Sequence, residues 1–115
     1  MADYDLWSEL RTKTKQLDYS VKELRKSGTA YAEAEKAYKV KLRETALRLR
    51  SQDTAVGMIS MTVYGVPEVA ELRFKRDCAR AVYDANKDAI NAIKLEMRIL
   101  ENQVQREWGT PPANM

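Results

Sequence analysis

Between Val66 and Trp108 apolar residues recur every three or four positions for about ten turns, and no Gly or Pro follows Pro67. Only an α-helix brings Val69, Leu72, Ala79, Val82, Tyr83, Ala89, Ile90, Ile93, Met97, Leu100 and Val104 onto one face at that spacing. Pro67 suits the first helical position, where its missing N–H would have no partner, and Glu68 and Glu71 suit the positive end of the dipole. Gly109 closes the stretch. At 1.5 Å per residue the predicted helix is ~60 Å long, and the rest of the chain has to be fitted to it.

The remaining sequence is helical in pattern too. From about Asp3 to Lys26, Leu6, Leu10, Leu17, Val21 and Leu24 share one face, with Asp3 or Asp5 as a cap and Arg25 and Lys26 at the negative end. Tyr4 and Trp7 extend that face, as core packing rather than as a partner surface. Ser27-Gly28 reads as a stop and Thr29 as the next cap, with Glu33 in the first turn. A second helix over about Ala30 to Arg50 carries Tyr31, Ala34, Tyr38, Leu42, Ala46 and Leu49, broadened by Ala32, Ala37 and Val40. So short a connection predicts antiparallel neighbours. Over 51–66, Asp53 can cap a short helix containing Val56, Met58, Ile59 and Met61, whereas Thr62, Val63 and Tyr64 also suit a strand. The helix is preferred, because a lone strand leaves its backbone groups unpaired; its plain role is to plug one end of a bundle.

The expectation is therefore an all-α fold: an antiparallel helical hairpin, a short connecting helix and one long C-terminal helix, in a single domain over 1–109 with a disordered tail at 110–115. Helices of ~30 Å in the hairpin would leave half of the long helix uncovered. Its richest run, Ile90, Ile93, Met97, Leu100 and Val104, has the rhythm of a coiled-coil seam and predicts a homo-oligomer assembled through it. A bend near Asn86 or a staggered hairpin would instead cover the helix within one chain.

Composition narrows the function. The chain has no histidine, which removes the commonest general base near neutral pH and the commonest metal ligand, so no enzyme, metal or cofactor is expected. Cys78 is the only cysteine, read as a small packed residue rather than a nucleophile. Asp84, Asp88, Glu96, Glu101 and Glu107 read as solvated charges and helix-pairing salt bridges, since metal-binding bundles add a His three residues after a Glu. The acidic start lacks the pattern of a signal peptide and no run is apolar enough to span a bilayer, so a cytoplasmic location without membrane contact is expected.

A formal charge of +3 does not demand a nucleic acid or acidic membrane as partner. Local groups can still make contact: Lys36, Lys39 and Arg43, with Lys41, Arg48 and Arg50, on the second helix, and Arg73, Lys75, Arg76 and Arg80 on the last. Such residues can track the backbone of a single-stranded nucleic acid or bind an anion, with Tyr31, Tyr38 or Phe74 as stacking faces. Interspersed Glu33, Glu35, Glu44, Glu71 and Asp77 favour the alternative of an ordinary solvated face. Gly65-Val66-Pro67-Glu68 reads as a helix start rather than an anion site.

Three segments carry a resemblance: Tyr31-Ala-Glu-Ala-Glu-Lys-Ala-Tyr-Lys39, Tyr64-Gly-Val-Pro-Glu-Val-Ala-Glu-Leu-Arg-Phe74 with Arg76-Asp77, and Glu101-Asn-Gln-Val-Gln-Arg-Glu-Trp108. From about Gly28 to Trp108 the chain resembles a family of small uncharacterised helical proteins encoded by tailed phages and prophages of Gram-positive bacteria. The resemblance implies a noncatalytic interaction protein of the host cytoplasm that supports phage DNA recombination or replication through a phage or host protein. The alternative it implies is an inhibitor or sponge acting against a host enzyme or host immune system.

Overall fold

The structure, a computed structural model, describes residues 2–108, with side chains from 5 to 107. Gly109, the tail at 110–115 and the side chains of Asp3, Tyr4 and Trp108 lie outside the described residues. The fold is all-α: α1 (Ala2–Ser51), α2 (Val56–Val63) and α3 (Pro67–Trp108). The expected long C-terminal helix is α3, beginning at Pro67, and the short helix expected over 51–66 is α2. Tyr64 and Gly65 form a turn, with the Gly65 N–H donating to the Thr62 carbonyl at 3.1 Å, and no strand occurs among the described residues.

The expected stop at Ser27-Gly28 is absent, and the two helices expected over 3–26 and 30–50 are one helix of 50 residues. No glycine among the described residues has a positive φ, so Gly28 does not take the left-handed conformation that ends helices. What it provides is room: a Cβ there would lie 3.2 Å from Cε1 of Tyr83 on α3, closer than ordinary van der Waals contact. Glycine inside a helix costs about 1 kcal/mol, less than the packing on either side of it returns.

The true stop lies at Asp53, whose φ of 61° is the only positive value of a non-glycine residue among those described. The Thr54 N–H donates to the Leu49 carbonyl at 3.1 Å and the Asp53 N–H to that of Arg50 at 3.2 Å. These are the paired closing bonds of a Schellman motif with Asp53 in the left-handed position. Asp53 therefore ends α1 rather than capping α2; the cap residue of α2 is Ala55, which makes no side-chain cap bond.

Contacts group the described residues into two compact units, one drawn from residues 2–25 and 85–108, the other from 26–84. In the first, the Lys13 ammonium donates to Glu96 at 3.0 Å, and the Asn86 amide donates to the Glu23 carbonyl at 3.3 Å. Ten residues forward on α1 thus match ten backward on α3, an antiparallel register. Ile90 and Leu100 are buried, and Ile93, Met97 and Val104 half-buried, in company with half-buried Leu6, Leu10, Leu17, Val21 and Leu24. The seam expected to recruit a second copy is covered inside the chain, because unbroken α1 supplies residues 2–25 to match 85–108 of α3. Trp7, expected in the core, is 47% exposed.

In the second unit the core is Tyr38, Leu49, Val63 and Val69, flanked by Leu42, Ala46, Ile59, Val66 and Leu72. Tyr31 and Tyr83 pair their rings at 5.9 Å. Ala32, Ala37 and Val40 are exposed instead of widening the packed stripe, and Val82 and Ala89 are exposed on α3. Cys78 is exposed as well, one position off the inward row of Leu72, Arg76, Ala79 and Tyr83.

Candidate interaction surface

The residues of α2 have no charge, and the charge-free stretch extends from Thr54 through Pro67. Val63 is the helix's anchor, 4% exposed among Tyr38, Leu49 and Val69, and Ile59 packs half-buried beside it. The opposite side is different: Met61 is 72% and Met58 51% exposed, and Val56, at the start of the Ile59–Val63 side, is 78% exposed. Plugging the bundle accounts for one side of α2 only.

Where α2 leans on α1 a groove of about 410 Å³ opens. Leu42 and Ala46 of α1 and Val56, Ile59 and Val63 of α2 make it apolar, with Arg50, Ser60 and Tyr64 at its edges. Lys39, Arg43, Ala46 and Arg50 follow one another on α1 at steps of four, three and four, so they form one row on the helix surface. Ala46 and Arg50 are groove residues, which sets Lys39 and Arg43 along the same margin. Lys36, one turn earlier, lines a separate hollow with Glu33, Glu44 and Leu72. All four cationic side chains are exposed, and none joins an ion pair among the described residues. No acidic residue lines the groove.

The charge behind this row is concentrated. Lys36–Arg50 holds six basic residues and a single acid, Glu44, whereas residues 1–35 have six basic against seven acidic and residues 51–115 eight against nine. The small overall charge hides a segment of +5 between two segments of −1.

The basic group expected on α3 is used differently. The guanidinium of Arg76 lies 4.7 Å from the centre of the Tyr38 ring, its Nε donates to Asp77 at 2.7 Å, and Nη1 is 3.7 Å from Glu35. The hydrogen bond to Asp77 is the main cause holding the Arg76 pKa above its usual value, against the opposing effect of burial. Arg80 is 3.9 Å from Asp84, one helical turn on. Arg73 sits 5.5 Å from the centre of the Tyr64 ring and stays exposed. The structure thus separates the six expected contact residues: Lys36, Lys39 and Arg43 are free at the surface, while Arg76 and Arg80 are held by carboxylates. Two stacking faces are also taken, since Tyr38 is buried under Arg76 and Tyr31 is paired with Tyr83; Phe74 is 63% exposed.

No protein family, curated protein or solved structure matches this chain. The reading of the surface therefore rests on its own chemistry. Among the described residues no three His, Cys, Asp or Glu side chains converge on a metal position, and no helix is long and apolar enough to cross a membrane. The exposed side of α2 and the groove beside it are what the expected contact residues did not include. Their signal in the sequence is the junction of a strongly basic stretch with an uncharged one.

Proposed function

We propose that this chain is a noncatalytic, phage-encoded interaction protein of the host cytoplasm, which supports phage DNA recombination or replication by binding another protein of phage or host. The observation that carries the reading is α2, an uncharged helix with three apolar side chains more than half exposed. A helix apolar around its circumference is ordinarily buried, and covering it returns roughly 25 cal/mol per Å² of apolar area. The resemblance of Tyr31–Lys39, Tyr64–Phe74 and Glu101–Trp108 to phage proteins supports the setting. The partner is a different protein rather than a second copy, because two-fold pairing through α2 would oppose two rows of Lys39, Arg43 and Arg50.

The test is capture of a stoichiometric partner by the tagged full-length chain during phage infection, compared with a Met58→Glu/Met61→Glu double variant. Both methionines are exposed, so the variant is expected to keep its helical circular dichroism. Loss of the partner in the variant is the expected result; equal capture by both, or a natural chain that captures nothing, would overturn the reading.

A further inference from the structure

Resting on that reading, we propose that the groove between α1 and α2 receives an acidic amphipathic helix of the partner protein. The argument is charge complementarity along an apolar slot. Leu42, Ala46, Val56, Ile59 and Val63 offer aliphatic walls, and about 410 Å³ has room for a few aliphatic side chains from one face of a helix. A helix laid in such a slot places apolar anchors at i, i+3, i+4 and i+7 inside and turns its flanks to the rims. The α1 rim is Lys39, Arg43 and Arg50, exposed and unpaired among the described residues. The α2 rim is uncharged. Glu or Asp on the flank facing α1 therefore gains three cations and meets no like charge in the groove.

A nucleic acid fits this place less well. Binding of single strands uses aromatic platforms, and the slot walls are aliphatic, with Tyr64 at the edge already beneath Arg73. A second copy brings its own basic row with it, as argued above.

Fluorescence anisotropy on the full chain tests the proposal with a labelled peptide of about eighteen residues that has Leu at the i, i+3, i+4 and i+7 positions and Glu elsewhere. Two further peptides replace Glu by Lys, or Leu by Gln, and a single-stranded oligothymidylate is the fourth probe. The Leu/Glu peptide is expected to bind, more weakly as salt rises, and at least about tenfold more tightly than the others. Arg43→Glu/Arg50→Glu should weaken it by about tenfold or more, and Arg43→Gln/Arg50→Gln by less. The four substitutions are at exposed positions, and circular dichroism checks that helicity is kept. Absence of binding at low salt, equal binding of the Gln peptide, or tighter binding of oligothymidylate overturns the acidic-helix proposal. Those outcomes leave partner capture through Met58 and Met61 standing, whereas a natural chain that captures nothing, or a variant that captures equally, with peptide binding intact, would strike only the broader reading.

Discussion

Gly28 and Gly57 are both helical glycines with opposite surroundings. Nothing lies within 4 Å of a Cβ added at Gly57, so Gly57→Ala should raise stability in urea by about 0.5 kcal/mol through a less flexible unfolded chain. At Gly28 the Tyr83 ring stands in the way, and Gly28→Val should cost about 1–3 kcal/mol in the same measurement. Sequence reading takes Ser27-Gly28 for a stop because a glycine kept for a left-handed turn and one kept for a close neighbour are the same letter. Asp53 illustrates the reverse, a left-handed stop written with a residue that reads equally as a cap. Arg76 is similar: its charge suggests a ligand, yet its position one step inside the Leu72–Tyr83 row puts it over Tyr38 with two carboxylates. Arg76→Ala should lower stability by about 1–2 kcal/mol, mostly through the ring contact, and leave peptide binding in the α1–α2 groove unchanged. Because the Asp77 hydrogen bond raises an already high pKa, this contribution should not vary between pH 5 and pH 9 on account of Arg76.

Among the elements, α3 was legible almost to the residue, since its start has Pro67 and its periodicity never lapses. The end of α1 was legible less directly, and α2 was ambiguous because β-branched Thr62 and Val63 suit strand and helix alike. Burial decides the matter: Ile59 and Val63 pack against one core while Met61 between them is 72% exposed, whereas a strand would turn all three to one side. The two faces of α2 should separate under mutation. Leu49→Ala removes a wall of the core that holds α2 and should cost about 2–5 kcal/mol in chemical denaturation. Met58→Glu/Met61→Glu should change stability by no more than about 0.5 kcal/mol while removing the partner. Similar losses in stability for both would mean that the exposed methionines are part of the packed structure.

For the molecule as a whole, the helical pattern establishes an all-α class, whereas how the long stripe is covered turns on one boundary. Cut at Gly28, α1 is too short to reach Ile90–Val104, and the apolar seam requires a second copy; uncut, it reaches. Light scattering over a range of concentrations should therefore report a constant mass of 13.2 kDa, and a mass that grows with concentration would reopen self-association. Charge was misleading at this scale for a related reason, since a total of +3 averages a +5 segment with two slightly acidic ones. Register has a consequence during synthesis. Leu6 to Leu24 are made first, but Ile90 to Val104, which cover them, come last. About sixty residues separate Arg25 from Ala85, several seconds of translation at roughly 5–20 residues per second. During those seconds the N-terminal stripe is without the residues that cover it in the finished chain. The segment of a nascent chain that most needs shielding is then the one the folded protein hides.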